Sequence, residues 1–119
     1  MRFFYLLAMQ WNHEKNIHTI HGLWPEYTLH KWPEFCTREV FNISLIRDLI
    51  PTMKHVWSSM HEYHNTDEEF WQHEWQKHGT CNFNGWNQHE YFSKTLVYYE
   101  LHKNECKLLQ DCNTIINVE

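Results

Sequence analysis

Apolar and polar positions alternate with two different periods along the chain, which predicts a mixture of strands and helices. Residues 3–11 are apolar at nearly every position, as in a buried strand. This segment also resembles a short signal peptide, but it lacks an obvious small-residue cleavage site, and we favour the strand. Residues 17–21, IHTIH, alternate with the period of a second strand. Gly22 and Pro25 then predict a loop.

Three later segments have helical spacing. Apolar residues recur every three or four positions in residues 43–60, where Pro51 predicts a kink or a new helix start. The sequence TDEE at residues 66–69 matches a capping box with an acidic first turn, so a helix should begin there. We expect this helix to end at Gly79. A further amphipathic helix is predicted from Gln88 to His102.

Size and composition limit the class of protein. With 119 residues, of which 17% are aromatic, the chain fits one packed domain and not a disordered one. We predict a single α+β domain over residues 1–119, in which a small antiparallel sheet packs with three to four helices. The formal net charge of −5 excludes a strongly basic nucleic-acid platform, so a polyanion would need a local cationic site. No stretch is long enough to span a bilayer, and no membrane partner is expected.

Four cysteines suggest an oxidising compartment. Their spacing fits neither a zinc ribbon nor thioredoxin chemistry, whereas an even count in a small domain fits two disulfides. Cys106 and Cys112 could bond only if helical structure ends between them, because six helical steps span about 9 Å. Otherwise both are free, or their partners lie elsewhere. Asn42 begins a glycosylation sequon, NIS, and is a candidate site of modification.

Residues 71–81, WQHEWQKHGTC, concentrate titratable side chains. On a helix they share an arc of about 140° with the preceding aromatic residue, whereas Trp71 and Trp75 point toward a core. The members of this polar arc are Phe70, His73, Glu74, Lys77 and His78. A solvated face with ordinary i,i+4 pairs is the simpler alternative. The histidines lack the H-E-x-x-H spacing of zincins, and Lys77 would repel a cation, so we expect no metal and no cofactor.

Metal-free cleavage of RNA requires such a set of groups. One imidazole removes the proton of the ribose 2′-OH, and a second, protonated imidazole gives a proton to the leaving oxygen. A fixed cation meets the charge that builds on phosphorus. Because the nucleophile is the 2′-OH, DNA would be spared. The cluster contains the cation and one imidazole at the right place, and it needs a second catalytic histidine from elsewhere.

The segments TIHGLWP and FWQHEWQKHGTC resemble the two active-site segments of the ribonuclease T2 family, in the family's order. The resemblance implies an acid–base pair in which His78 is the base and His21 the acid. It also implies that His73 binds the phosphate. Glu74 and Lys77 would stabilise the pentacovalent phosphorus. Nucleobase contacts are implied for Trp24, Glu26, Phe70 and, less directly, Trp32. Plain core packing is the alternative for Trp32 and Trp71.

From the same resemblance we expect an endoribonuclease that cleaves single-stranded RNA through a 2′,3′-cyclic phosphate with low base specificity. It further implies a Cys36–Cys81 disulfide, and with the cysteine count it favours a secreted protein or one in the endolysosomal or vacuolar lumen. The chain departs from the family because it stops soon after the third helix, where the family has further strands and cysteines. A natural minimal form, a shortened viral or parasite relative and a partial chain are all consistent with this. A catalytically impaired RNA-binding or toxin-like secreted module and a histidine-rich metal-binding protein remain as alternatives.

Overall fold

Three antiparallel strands and the helices packed against them make up the fold. The computed structural model describes residues 3–28, 31–60 and 64–117. Within these residues the strands are β1 (Phe4–Asn12), β2 (Ile17–Glu26) and β3 (Cys112–Ile116), and the helices are α1 (Ile50–Val56), α2 (Asp67–Lys77) and α3 (Gln88–His102). Short 3-10 helices cover Ile43–Leu49, Gly79–Cys81 and Lys103–Glu105. The sheet has the order β2-β1-β3, which confirms the predicted α+β class. None of the described helices is long and apolar enough to cross a membrane.

The core lies between β1 and the helices. Leu7 and Met9 of β1 are fully buried, and β2 adds Ile20 and Leu23. Aromatic residues of α2, of α3 and of the segment after α1 belong to the same cluster, namely Phe70, Trp71, Trp75, Tyr91, Phe92, Tyr99 and Trp57. Trp71 therefore packs in the core, as the sequence suggested. The apolar segment at the start of the chain is a strand, which confirms that interpretation over the signal-like one for its described residues.

Strand β2 is longer than the sequence predicted. It continues through Gly22 and Pro25 to Glu26, so the predicted loop was wrong. Proline is tolerated because β2 is an edge strand, where one side of the backbone needs no ladder partner. The register passes from Met9↔Ile20 to Ala8↔Gly22 and leaves His21 as the extra residue of a β-bulge.

The bulge decides which way His21 points. Gly22, Trp24 and Glu26 share one face of β2, because side chains of a strand alternate. Simple alternation would turn residue 21 to the opposite face. With the bulge, the imidazole of His21 contacts the indole of Trp24, at a ring-centroid distance of 5.1 Å. The bulge therefore brings His21 onto the face that carries the other motif residues of β2.

The helix predicted over residues 43–60 is shorter and divided. A 3-10 helix ends at Leu49, and α1 begins with Pro51 in its first turn, as the proline indicated. The helix ends before Trp57, whose φ of −141° and ψ of 45° are not helical. The buried Trp57 side chain packs in the core and donates its N–H to the backbone carbonyl of His21 at 2.9 Å. This tertiary contact explains why the periodic pattern extends beyond the helix.

Helix α2 begins where the sequence predicted. The hydroxyl of Thr66 accepts a hydrogen bond from the backbone N–H of Glu69 at 3.1 Å, which is one half of a capping box. Its last residue is Lys77, two residues before Gly79. Gly79 does not adopt the left-handed conformation of a helix-ending glycine. It is needed for close packing, because a Cβ atom there would lie 2.4 Å from the ring of Trp75.

Both disulfides form. Cys36 bonds to Cys81, as the family resemblance implied. Helix α3 ends at His102, before either remaining cysteine, and Cys106 therefore reaches Cys112. Strand β3 starts at Cys112 and pairs with β1, so a strand that the sequence pattern did not predict follows the last helix. The short CNTII segment gives little pattern of its own, and its strand conformation depends on β1 as a partner.

The two disulfides should contribute unequally to stability. Their cysteines are 45 and 6 residues apart, and the chain-entropy model gives about 4 kcal/mol for the longer loop and about 2 kcal/mol for the shorter one. Urea unfolding should therefore show a larger loss of unfolding free energy for a Cys36→Ser/Cys81→Ser variant than for Cys106→Ser/Cys112→Ser. Equal losses, or the reverse order, would contradict this prediction.

Candidate active site

Two adjoining cavities contain all the residues that the sequence singled out for the site. The first, of about 430 Å³, lies between β2 and α2 and is lined by Leu6, His21, Trp24, Glu26, Trp32, Glu34, His73, Glu74, Lys77 and His78. The second, of about 810 Å³, is lined by Phe70 and shares His21 and His73 with the first. The two motif segments thus face each other, and the two shared imidazoles stand where the cavities meet.

Glu74 lies at the contact between β2 and α2. Its side chain is 1% exposed, its Oε1 accepts a hydrogen bond from the indole N–H of Trp24 at 2.8 Å, and its Oε2 is 3.8 Å from Nε2 of His21. Burial raises the pKa of this carboxyl to about 8, against the opposing effects of the Trp24 hydrogen bond and the charge of Lys77. At neutral pH the protonated form therefore predominates. A neutral carboxyl group can donate a hydrogen bond to a phosphate oxygen, whereas a carboxylate would repel it.

The close approach of Glu74 requires a glycine on β2. A Cβ atom at Gly22 would lie 2.0 Å from Oε1 of Glu74 and 2.5 Å from Nε1 of Trp24. Withdrawal of either atom alone would break the hydrogen bond between them. The glycine of the HGLWP segment is thus required by packing against the second motif.

His78 is held in a neutral state. It directly follows α2, is 7% exposed, and its ring stacks on Trp24 with centroids 5.0 Å apart. Desolvation, together with the smaller effects of the nearby Lys77, His73 and His21, lowers its pKa to about 3. Its Nδ1 has no hydrogen-bond partner among the described residues. A neutral imidazole can accept a proton, which is the first requirement for a general base.

His21 is the more accessible of the two histidines. Its side chain is 39% exposed. Desolvation lowers its pKa, an effect that Asp111 opposes and that His73, His64 and Lys77 reinforce. Its ring makes edge contacts with Trp24 and with Phe70, at 5.1 and 5.7 Å between centroids. The Trp24 indole therefore contacts both imidazoles and the carboxyl group of Glu74.

The cation of the site has an acidic neighbour that the sequence did not reveal. Nζ of Lys77 is 3.8 Å from Oε2 of Glu34, whose Oε1 accepts a hydrogen bond from the indole N–H of Trp32 at 2.7 Å. Trp32 is half exposed at the rim of the cavity, so the core-packing alternative for it was wrong. The Cys36–Cys81 disulfide and a hydrogen bond from the backbone N–H of Phe35 to the carbonyl of Lys77 tie this loop to α2. No periodic pattern marks Glu34 in the sequence.

The second cavity brings further polar groups to Phe70 and His73. The ring of His64 stacks on Phe70 at 5.5 Å and lies 4.9 Å from that of His73. Desolvation, His64 and Lys77 lower the pKa of His73. The amide nitrogen of Gln10 is buried in the lining without a partner among the described residues. His64 and Gln10 were missed because neither belongs to a motif.

Glu26 is a buried carboxyl group of β2 that is not fully hydrogen-bonded by the described residues. The residue is 5% exposed, and its Oε2 has no hydrogen-bond partner within the described part of the chain. Desolvation raises its pKa to about 7. It shares the strand face and the cavity of Trp24. Such a carboxyl group can bind an amide or amino edge of a ligand.

The described residues contain no group of three histidine, cysteine or acidic side chains that could hold a metal ion. A family model described as the ribonuclease T2 family matches residues 4–116. The chain belongs to this family.

Named relatives of the ribonuclease T2 family agree with this assignment. The chain is 44% identical over 96 residues to intracellular ribonuclease LX of Solanum lycopersicum. This match covers 80% of this chain and 38% of that protein. It is 40% identical over 105 residues to ribonuclease T2 of Homo sapiens, or 83% of this chain and 39% of the human protein. The match thus spans less than half the length of these relatives.

Solved structures of the family share the fold. The crystal structure of human RNase T2 superimposes with a TM-score of 0.71 at 32% identity, covering 87% of this chain and 59% of the human chain. RNase NT in complex with 5′-AMP gives a TM-score of 0.74 at 30% identity and covers 87% of this chain and 58% of its own. The β2–α2 arrangement therefore belongs to an architecture found in ribonucleases.

Substituting Gly22 should test how tightly the two motifs pack. Gly22→Ala places a methyl group against Glu74 and Trp24, and overpacking of this kind costs about 1–3 kcal/mol of unfolding free energy. Gly85→Asn is the control, because a Cβ there meets nothing within 4 Å and asparagine tolerates its φ of +68°. Chemical denaturation should show a clear loss for the first variant only. Similar stability of the two variants would contradict the packing argument.

Proposed function

We propose that the protein is an endoribonuclease that cleaves single-stranded RNA by metal-independent transphosphorylation. The observation that carries the proposal is the pair of unlike imidazoles around one cavity. His78 is buried and neutral, whereas His21 is accessible to solvent and to a leaving group. Lys77 and the buried carboxyl group of Glu74 line the same cavity. A base, an acid and a cation around one cavity match the requirements of this reaction.

In the transfer step His78 removes the proton of the ribose 2′-OH. The 2′-oxygen attacks phosphorus, the bond from phosphorus to the 5′-oxygen breaks, and His21 in its protonated form gives a proton to that oxygen. The products are a 2′,3′-cyclic phosphate and a free 5′-OH. Hydrolysis of the cyclic phosphate uses the same two groups with their roles reversed, because His21 then accepts a proton from water and His78 donates one.

Three further groups stabilise the phosphorane. Lys77 places its ammonium beside the equatorial oxygens, and phosphate replaces Glu34 as its partner. Glu74 donates a hydrogen bond from its protonated carboxyl group, which burial keeps neutral near pH 7. His73, at the junction of the two cavities, binds the phosphate. Stabilisation of charge that develops only in the transition state raises kcat more than it lowers KM.

The two cavities would hold the bases on either side of the scissile phosphate. In the smaller cavity the unpaired Oε2 of Glu26 offers a hydrogen bond beside Trp24, and Trp32 can stack from the rim. In the larger one Phe70 offers a ring and Gln10 an unpaired amide. Stacking on aromatic rings tolerates every base and is worth about 1–3 kcal/mol, which favours low base specificity.

The relatives support this substrate class. RNase NT was crystallised with 5′-AMP, and a mutant of RNase MC1 with 5′-UMP, so family members bind nucleotides of both base classes. Two disulfides favour an oxidising environment, which suits a secreted protein or one in the endolysosomal or vacuolar lumen. DNA lacks the 2′-OH nucleophile and should not be cleaved.

The reaction can be tested directly with purified protein in excess EDTA. We expect cleavage of single-stranded RNA to fragments with 2′,3′-cyclic phosphate ends, and no cleavage of single-stranded DNA of the same sequence. His21→Ala and His78→Ala should each lower kcat by about 10²–10⁴ fold, because each removes one proton-transfer group. Mass spectrometry of the products and initial rates measure both outcomes.

His55→Ala is the matched control, since His55 is an exposed residue of α1 that lines neither cavity. Its rate should equal that of the parent protein. Loss of activity in EDTA, equal cutting of DNA, or an equal effect of His55→Ala would contradict the proposal. RNA binding without turnover would favour the catalytically impaired binding module instead.

A further inference from the structure

The outer edge of β2 is bound by aromatic side chains. Because β2 is an edge strand, the carbonyl groups on its free side need partners from elsewhere in the fold. Three of them accept hydrogen bonds from buried aromatic donors at 2.6 to 2.9 Å. These pairs are Tyr99 with His18, Trp57 with His21, and Tyr91 with Leu23.

One of these bonds falls on the bulge itself. His21 has no partner in the register between β1 and β2. Its carbonyl accepts a hydrogen bond from the indole N–H of Trp57 at 2.9 Å. A bulged residue lacks the regular pair of ladder bonds that fixes its neighbours. The orientation of its peptide therefore depends on contacts outside the sheet. Trp57 is fully buried and has little room to move.

The same tryptophan is also tied to the second motif. Its backbone carbonyl accepts a hydrogen bond from the indole N–H of Trp71 at 2.7 Å. Trp71 belongs to α2, two residues before His73 and three before Glu74. A continuous path of hydrogen bonds thus runs from α2 through Trp57 to the backbone of His21. It is separate from the contact between Trp24 and Glu74.

We propose that Trp57 is a positioning residue for His21, which holds the bulge so that this imidazole faces Glu74 and the phosphate site. The expected loss of catalysis rests on the proposed function. The expected change in the position of the His21 side chain does not. Trp57 lines neither cavity and would act only through the backbone of residue 21. The proposal therefore predicts a defect in catalysis with little effect on substrate binding.

Trp57→Phe removes the N–H group and keeps an aromatic ring in the core. We expect kcat on single-stranded RNA to fall about tenfold with KM nearly unchanged, because small misplacements of a catalytic group are costly. The second readout is an NMR titration of the His21 imidazole, assigned with His21→Ala. Desolvation lowers the pKa of His21 in the parent protein, so loosening of the bulge should move it back toward the ordinary value.

Tyr99→Phe is the control. It removes a hydrogen bond of the same kind from the same strand edge, at the carbonyl of His18 outside the bulge. It should lower stability without changing kcat or the His21 titration. If Trp57→Phe does not fold, as judged by circular dichroism, Trp71→Phe interrupts the path one step earlier and should produce the same changes on a smaller scale.

An unchanged His21 titration in a folded variant, or equal changes in Tyr99→Phe, would overturn the proposal. The titration also separates the two hypotheses. If the parent protein does not cleave RNA, the proposed function fails, yet a shifted His21 titration in Trp57→Phe would still support the positioning role. If RNA is cleaved and neither kcat nor the titration responds to the variant, only the positioning role fails.

Discussion

The contact between Trp24 and Glu74 is the interaction on which the rest of the site depends. One hydrogen bond of 2.8 Å joins β2 to α2, and it can form only because residue 22 has no side chain. The Cys36–Cys81 disulfide ties the loop after β2 to the segment that follows α2. The indole N–H of Trp57 donates to the carbonyl of His21 at the bulge. These constraints bring two segments separated by about fifty residues of chain to one cavity.

Burial at this contact determines the charges of the site. Glu74 is withdrawn from water and its pKa rises, while the same desolvation lowers the pKa of His78. Both groups are therefore neutral near pH 7, and Lys77 with its partner Glu34 remains as the local ion pair. The formal net charge of −5 opposes the approach of a polyanion at long range. In the proposed function, phosphate binds beside the neutral carboxyl group of Glu74 and the ammonium of Lys77, which line one cavity.

The sequence predicted those features that local pattern determines. The bounds of α3 follow from its amphipathic spacing, and the start of α2 follows from the cap at Thr66. The polar arc of residues 70–78 does face the two adjoining cavities, because helical geometry fixes which side chains share a face. The family resemblance added His21 and its neighbours, which no periodicity on α2 could have indicated.

Features that depend on tertiary contacts were not predictable in this way. Gly22 and Pro25 signal a loop locally, yet they lie within a strand because β2 is an edge strand opposite β1. Strand β3 depends on its partner, and the bulge at His21 is visible only from the register. Glu34 reaches Lys77 from a loop whose path is set by a disulfide and backbone hydrogen bonds.

The central claim is that packing of β2 against α2 keeps Glu74 protonated at neutral pH. NMR titration of the folded protein, with carbon-13 in the glutamate side chains and Glu74→Gln to assign the signal, measures this directly. The account predicts that the Glu74 carboxyl group titrates with a pKa of about 8. A midpoint near the ordinary glutamate value of 4.5 would show that the carboxyl group is ionised at neutral pH and would contradict the account.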